Sequence, residues 1–354
     1  MDLADVVRRH GPAYLEKFGE RLPEAHRRAL EAILRCHTPA CGGSLYQCPE
    51  CGELHFHYHG CGHRACGQCG RAQAQAWLER QTARLLPVDY FLATFTVPEA
   101  LRPWIRHEQS FFYDLLLRES AATLQDVAVQ PRYGLEGRLG FLSVLHTWTR
   151  QLIYHPHVHC VIPAVALRED GSLGWPKQPE FLLPVRRLSA RWRSRLRSAL
   201  FTLRPDLAAQ IPPSVWRSAW VVHLQPAGRG RQALEYLSRY IFRTAISSAR
   251  LLSQDDRQVS FTYIDSRDRQ QHTLTLSGEE FLRRFLQHVL PKGFHRVRTY
   301  GWLSAAAKDR FERLCALLDA LPVPPRKPQP RAPILCARCH CPMQRIAEFI
   351  RGPP

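Results

Sequence analysis

The chain has no long hydrophobic run and comparatively few acidic residues. No stretch of about 18 consecutive apolar residues occurs in its 354 residues, so we predict no membrane-spanning segment. Residues 1–5 are acidic and lack the apolar core of a signal peptide, which leads us to expect a cytoplasmic protein. The chain has 31 acidic residues against 49 lysines and arginines. The resulting net charge of +18 favours a polyanionic partner, most simply nucleic acid.

Arginine supplies much of this positive charge, and one segment concentrates it. The arginines of that segment are Arg187, Arg191, Arg193, Arg195 and Arg197. A guanidinium group matches phosphate oxygens with two parallel hydrogen bonds, which suits contacts to a nucleic-acid backbone. The alternative interpretation is the solvated face of a basic helix.

Cysteine is plentiful, but its distribution is uneven. Seven of the twelve cysteines fall within residues 36–70. In a long chain without a signal peptide, such clustering favours metal binding over disulfides. Two Cys-x2-Cys pairs, separated by fourteen residues, predict a structural zinc site, and the doubled pair argues against a redox motif. The predicted ligands of this first site are Cys48, Cys51, Cys66 and Cys69.

A second zinc site is a weaker hypothesis, because the remaining spacings are irregular. Its candidate ligands are Cys36, Cys41, Cys61 and His63, with His55, His57 and His59 as alternatives. Near the other end of the chain, Cys336-x2-Cys339 forms half a site, to which His340 or Cys341 could add a ligand. An incidental tail is the alternative for this pair.

Helical and strand-like patterns alternate along the chain. Strands are predicted at 88–97, 140–146, 157–163 and 220–224, with a hairpin at 259–264 and 272–276. Because the strands are short and partly joined as hairpins, we predict an α+β fold with a mainly antiparallel central sheet, flanking helices and a small N-terminal zinc-binding module. The predicted domains are 1–86, 87–320 and a basic tail, 321–354, which opens with a proline-rich segment.

Three histidines occupy alternate positions in one strand-like segment. His155, His157 and His159 would project from one face, since side chains alternate along a strand. His146 lies eleven positions before His157 on a neighbouring predicted strand and would complete a set of three imidazoles that leaves coordination positions open. We prefer His146 as the third ligand and keep His155 in reserve, because Pro156 places His155 at the entry of the strand.

Two tyrosines in a predicted helix are the candidate nucleophiles. Tyr236 and Tyr240 are four positions apart and would share one helix face, with Arg243 a turn further on to bind phosphate. A tyrosine hydroxyl is a poor nucleophile at neutral pH, and a nearby metal that polarises phosphate offsets this. The alternative is two aromatic side chains packed into a core.

Together these motifs resemble the HUH endonuclease superfamily, specifically the two-tyrosine transposases of bacterial insertion sequences thought to move by a rolling-circle route. The segments that carry the resemblance are 36–69, 144–148, 155–160, 236–240 and 290–298. One departure concerns Ala65, because relatives commonly carry histidine directly before the cysteine that follows it. This departure affects the ligands of the second zinc site and leaves the catalytic residues untouched.

The resemblance implies a chemistry without the Asp/Glu triad of RNase H-type enzymes. Mg²⁺ or Mn²⁺ held by His157, His159 and His146 would polarise the phosphate of single-stranded DNA at the element ends. A tyrosine would attack to give a 5′-phosphotyrosine link and a free 3′-OH, and the second tyrosine would allow a second cleavage. The expected location is the nucleoid of a bacterial cytoplasm, and zinc would be structural.

Two alternatives stay open at this point. A plasmid replication initiator or conjugative relaxase would use the same chemistry, although the N-terminal zinc module and segment 290–298 favour a transposase. A non-catalytic zinc-containing DNA-binding regulator would instead keep the histidines and tyrosines as core residues.

Overall fold

The computed structural model describes residues 1–241, 245–265, 267–320 and 332–350. The α-helices in these ranges are α1 (Leu3–Phe18), α2 (Glu24–Arg35), α3 (Gly70–Thr82), α4 (Arg102–His107), α5 (Gln109–Ala128), α6 (Val185–Leu203), α7 (Pro205–Gln210), α8 (Pro213–Arg217), α9 (Arg231–Ile241), α10 (Gly278–Leu286) and α11 (Lys308–Leu317). The strands are β1 (Gly43–Gln47), β2 (Leu54–Tyr58), β3 (Tyr90–Thr96), β4 (Arg138–Leu139), β5 (Phe141–Trp148), β6 (Tyr154–Pro163), β7 (Ala166–Leu167), β8 (Leu173–Gly174), β9 (Val221–Pro226), β10 (Leu251–Gln254), β11 (Gln258–Ile264), β12 (Gln271–Ser277), β13 (Val297–Tyr300) and β14 (Gln344–Phe349).

The chain divides into two compact units that alternate along the sequence. The first unit comprises residues 1–75, 242–289 and 325–354, and the second comprises 76–241 and 290–324. The boundaries of these units do not coincide with those of the predicted domains 1–86, 87–320 and 321–354, which stay predictions. Most of the proline-rich segment predicted at 321–334 lies outside the described residues.

The first unit combines helices with two small antiparallel sheets. Helix α1 packs against α2 and α10, and Lys17 of α1 pairs with Glu279 of α10 at 2.8 Å. One sheet has the order β10-β11-β12, in which β11 and β12 form the hairpin predicted from the sequence. The other sheet has the order β14-β1-β2, so the last described strand of the chain pairs with the first.

The second unit contains a five-stranded sheet with the order β13-β5-β6-β3-β9, in which neighbouring strands are antiparallel. One face carries the hydrophobic core. Phe95 and Val158 point toward this core, which includes Trp192 and Leu196 of α6. Because side chains alternate along a strand, Thr94, His157 and His159 are left on the opposite face.

A short turn joins β5 to β6 and sets their register. The backbone N–H of Thr149 donates to the carbonyl of Ile153 at 3.0 Å, and that of Leu152 donates to Thr149 at 3.0 Å. The Thr149 hydroxyl also accepts from the N–H groups of Gln151 and Ile153. The resulting register places His146 opposite His157.

The helices and antiparallel sheets confirm the predicted α+β fold. Among the described residues, no helix is both long and apolar enough to span a membrane.

Candidate active site and cysteine clusters

Three histidine side chains converge on the open face of the five-stranded sheet. His146, His157 and His159 are almost fully buried, and each offers one ring nitrogen within 4.8 Å of the others. The Nε2 atoms of His157 and His159 are 3.1 Å apart. The strand register therefore brings together the three preferred ligands predicted from the sequence, at a separation that one cation can bridge.

Hydrogen bonds at the opposite ring nitrogens orient two of these imidazoles. Nδ1 of His157 donates to the carbonyl of His155 at 2.7 Å, so the proton resides on Nδ1 and the Nε2 lone pair is available to a metal. Nδ1 of His159 lies 2.9 Å from the hydroxyl of Thr94 on the adjacent strand. Such contacts at the second nitrogen are typical of metal-binding histidines.

Burial favours the neutral form of two of these imidazoles. It lowers the pKa of His159 to about 4, and burial together with the nearby His159 lowers the pKa of His157 well below its usual range. A neutral imidazole is the form that binds a metal ion, so the site needs no deprotonation at neutral pH. Three imidazole nitrogens fit a divalent cation and leave coordination positions for substrate oxygens.

His155 lies beside this group without joining it. Its ring centroid is 5.1 Å from that of His157, yet among the described residues the group of histidines that could hold a metal ion consists of His146, His157 and His159. Burial also lowers the pKa of His155 to about 4. Its carbonyl accepts a hydrogen bond from Nδ1 of His157, so His155 also contributes to the arrangement through its backbone.

Helix α9 brings a tyrosine next to the histidines. The ring centroids of Tyr236 and His159 are 5.9 Å apart, and the rings are nearly perpendicular at 88°. The Tyr236 side chain is 37% exposed, which gives a substrate access to this position. The backbone of α9 continues through Tyr240, whose side chain is not described, and Arg243 lies outside the described residues.

The first of two cysteine groups found among the described residues lies between the end of α2 and the start of α3. Its members are Cys36, Cys61, Cys66 and Cys69. Their Sγ atoms are 3.4 Å apart for Cys36 and Cys66, 3.5 Å for Cys36 and Cys69, and 3.7 Å for Cys61 and Cys69. These separations far exceed a disulfide bond and approach the value of about 3.8 Å expected for four thiolates around zinc.

The second cysteine group joins segments from opposite ends of the sequence. Its members are Cys48, Cys51, Cys336 and Cys339. The Sγ atoms of Cys48 and Cys339 are 3.3 Å apart, and Cys51 lies 3.6 Å from both Cys336 and Cys339.

These groupings correct the ligand sets predicted from the sequence. Cys48 and Cys51 were expected to share an ion with Cys66 and Cys69, but the β1–β2 hairpin separates the two pairs. Each strand spans five residues, or about 16 Å at roughly 3.3 Å per residue. The Cys48 pair lies at the turn of this hairpin, whereas β2 returns the chain to Cys36 at the other end.

Two predicted ligands of the second site lie outside both groups. The thiol of Cys41 donates to the carbonyl of Arg35 at 3.0 Å. Nδ1 of His63 accepts from the N–H of Ala65 at 3.1 Å. Cys36 and Cys61 do belong to a four-residue group, but with Cys66 and Cys69 as their partners. The sequence shows Cys336-x2-Cys339 as half a site. Its spacing is the same as that of Cys48-x2-Cys51, and this equal spacing is the signal that could have paired the two.

The arginine-rich segment, which the sequence suggests for contacts with nucleic-acid phosphates, forms helix α6. This helix packs on the core face of the five-stranded sheet. Arg195 binds the buried carboxylate of Glu119 at 3.0 Å and Asp126 at 2.8 Å, and Arg191 also pairs with Asp126. These arginines neutralise acidic groups of α5. Arg193 is exposed, in agreement with the solvated-face alternative.

The converging histidines and the paired cysteine groups define a class of metal-binding α+β proteins, and sequence comparisons identify the family. The family model described as "Putative transposase" matches residues 140–310, and that described as "Transposase zinc-binding domain" matches residues 6–97. The protein named "Putative transposase y4qJ" from Sinorhizobium fredii is 38% identical over 342 residues, covering 91% of this chain and 85% of that protein.

The transposase for insertion sequence element IS801 from Pseudomonas savastanoi pv. phaseolicola is 30% identical over 321 residues, which cover 84% of this chain and 75% of that protein. No solved structure is significantly similar to the chain. The chain belongs to the family of insertion-sequence transposases with an N-terminal zinc-binding domain. Both the domain match and the cysteine groups support structural zinc.

Proposed function

We propose that this transposase cleaves and rejoins single-stranded DNA at the ends of its element through a covalent phosphotyrosine intermediate. The observation that carries the proposal is the placement of Tyr236 beside His159, at 5.9 Å between ring centroids, next to three converging imidazoles. A candidate nucleophile beside a group of side chains that could hold a metal ion provides the two parts that phosphodiester transfer by this route requires.

The proposed roles follow from the positions of the side chains. His146, His157 and His159 would hold a divalent cation, Mg²⁺ or Mn²⁺, which when bound would supply Lewis-acid polarisation of the scissile phosphate. The Tyr236 oxygen attacks phosphorus, the bond from phosphorus to the 3′ oxygen breaks, and the phenolic proton ends on that oxygen. The products are a 5′-phosphotyrosine link and a free 3′-OH.

Rejoining is the reverse of the same exchange. A 3′-OH attacks the phosphotyrosine, a DNA phosphodiester forms and the tyrosine regains its proton. One phosphodiester is exchanged for another in each step, so no external energy source is required. Tyr240, one helical turn from Tyr236 along α9, is the proposed nucleophile for a second cleavage while the first link persists.

The group formed by Cys36, Cys61, Cys66 and Cys69 is proposed as a closed structural zinc site. Its four thiolates fill a tetrahedral shell, so it leaves no position for substrate and takes no part in the chemistry. Its location within the matched zinc-binding domain supports this role.

The test incubates the full-length protein and Mn²⁺ with labelled single-stranded DNA from an element end. We expect a covalent adduct that survives denaturing electrophoresis and is absent from a Tyr236→Phe, Tyr240→Phe double variant. Tyr133→Phe is the matched control, because Tyr133 is a half-buried tyrosine of the same unit, and it should leave the adduct unchanged. An adduct that persists in the double variant would contradict the proposal, and DNA binding without any adduct would support the regulator alternative.

A second variant tests the histidine site separately. His157→Ala should abolish cleavage while the unfolding transition and DNA binding remain close to those of the parent protein. Unfolding of this variant at ambient temperature would instead assign the histidines a structural role.

A further inference from the structure

We infer that Cys48, Cys51, Cys336 and Cys339 form a second structural zinc site that joins the C-terminal segment to the N-terminal module. Cys336 and Cys339 lie outside the matched zinc-binding domain, 6–97, and outside the matched transposase region, 140–310. The inference goes beyond the proposed DNA chemistry, because it concerns a metal site remote in sequence from any residue assigned to catalysis.

The two cysteine pairs adopt the same local backbone geometry. In the first pair, the N–H of Gly52 donates to the carbonyl of Cys48 at 3.0 Å, and Gly52 has φ = 75°. In the second, the N–H of His340 donates to the carbonyl of Cys336 at 3.0 Å, and His340 has φ = 59°. Each turn therefore places a residue of positive φ four positions after its first cysteine. A non-glycine residue rarely adopts this conformation, so its use at His340 indicates a specific demand on the turn.

The four sulfur atoms are arranged as ligands rather than as a disulfide. Their separations of 3.3 to 3.6 Å are too long for a sulfur–sulfur bond of about 2.05 Å. They approach the sulfur separation of about 3.8 Å that follows from tetrahedral zinc with Zn–S bonds of about 2.3 Å. The N–H of Arg338 also points at the Sγ atom of Cys336 at 3.4 Å, a contact that stabilises a thiolate.

Backbone pairing holds the C-terminal segment in position. Strand β14 runs antiparallel to β1, with Gly43 opposite Phe349 and Gln47 opposite Gln344. Cys48, Cys336 and Met343 form a small buried cluster beside the sulfur atoms. The described residues 332–350 therefore form part of a three-stranded zinc ribbon, rather than the tail predicted from the sequence.

Neighbouring residues that could have replaced these ligands do not do so. Cys341 contacts the carbonyl of Cys339 through its sulfur at 3.7 Å and lies outside the four-residue group. His340 contributes its backbone to the turn, and it also lies outside the group. The set of four thiolates is thus complete without them, as expected of a closed structural site.

The experiment measures zinc per chain in the purified full-length protein, in a His157→Ala, His159→Ala background that removes metal binding by the three histidines. We expect two zinc ions. Cys336→Ser should lower the content to one, whereas Cys341→Ser and Cys315→Ser, which lie outside both cysteine groups, should keep two. A parent protein with one zinc ion, or a Cys336→Ser variant that keeps two, would overturn the inference.

Double variants test which cysteines share an ion. Cys48→Ser combined with Cys336→Ser should lose one zinc ion in total, because both residues belong to one site. Cys69→Ser combined with Cys336→Ser should lose both ions. The opposite pattern would contradict the assignment.

Cobalt substitution in protein that retains all its cysteines tests the inference even if a cysteine variant fails to fold. Two equivalents of Co²⁺ should each give the absorption of tetrahedral thiolate coordination, and saturation after one equivalent would contradict two sites. Neither measurement depends on the DNA adduct, so failure of this inference is distinguishable from failure of the proposed transposition chemistry.

Discussion

The hydroxyl of Thr94 orients the imidazole of His159. The two groups are 2.9 Å apart on paired strands, and His159 is almost fully buried. A buried ring whose second nitrogen lost this partner would either turn or leave a polar atom unsatisfied. Thr94 therefore contributes to the site through His159.

This arrangement predicts the effect of removing one hydroxyl. Thr94→Val keeps the shape of the side chain and should weaken Mn²⁺ binding about 10- to 100-fold, as loss of such outer contacts typically does. Thr94→Ser retains the hydroxyl and should bind Mn²⁺ nearly as well as the parent. Calorimetric titration with Mn²⁺ measures the affinity directly. Equal affinities for the valine and serine variants would remove Thr94 from this role.

Gly60 lies beside the first cysteine group, at a position with no room for a larger side chain. A Cβ atom at Gly60 would lie 2.7 Å from the Sγ atom of Cys69, which is closer than real contacts of this kind. Gly60→Ala should therefore displace Cys69 and lower the zinc content or its resistance to chelators. Gly19→Ala is the control, because no atom lies within 4 Å of a Cβ there. Zinc release measured with a colorimetric chelator should be faster for Gly60→Ala alone, and equal rates would contradict the prediction.

At the scale of the elements, strand alternation made the histidine site predictable. The spacing of His157 and His159 gives one face directly, and the β5–β6 hairpin adds His146 because the connecting turn is short. Thr94 carried no comparable signal, since it is one residue of a uniformly strand-forming run. The spacing of the cysteines does not predict which of them share a group. Any two Cys-x2-Cys pairs could supply the four ligands of one ion, and the choice depends on where the intervening strands lie.

The arginines of helix α6 differ in how much they should contribute to the stability of the fold. Arg195 compensates the buried carboxylate of Glu119, whereas Arg193 is exposed. Arg195→Ala would remove one of two arginines that bind this carboxylate, since Arg118 also binds Glu119 at 2.9 Å, and should cost about 1.5–3 kcal/mol of stability for the lost charged hydrogen bonds. Arg193→Ala should change stability by less than about 0.5 kcal/mol. Urea unfolding of the two variants compares them, and similar midpoints would argue against a structural role for Arg195.

At the scale of the whole molecule, the chain returns twice to the unit in which it began. Residues 242–289 and the C-terminal segment both join the N-terminal residues. Such an arrangement has no local signature in the sequence, because pairing between β1 and β14 depends on residues about 300 positions apart. Local patterns therefore predicted the elements well, whereas their grouping into units required the three-dimensional structure.

The two units should respond differently to loss of metal. In the β14-β1-β2 sheet, β2 and β14 are largely exposed, and the adjoining buried cluster consists mainly of Cys48, Cys336 and Met343. With so little apolar burial, the proposed zinc–thiolate bonds must supply much of the stability of this sheet. The five-stranded sheet instead packs against a large hydrophobic core that includes Phe95 and Trp192.

Zinc chelation should therefore unfold the β14-β1-β2 sheet while the five-stranded sheet stays protected. Hydrogen exchange followed by mass spectrometry should detect faster exchange at 43–58 and 344–349 after treatment with a strong zinc chelator. Exchange at β3 and β6 should change little, because the core beneath them contains no cysteine of either group. The His157→Ala, His159→Ala background serves as the control, since it removes any effect of metal at the three histidines. If protection at 43–58 survives complete zinc removal, backbone pairing and apolar packing suffice for this sheet, and zinc is not its main source of stability.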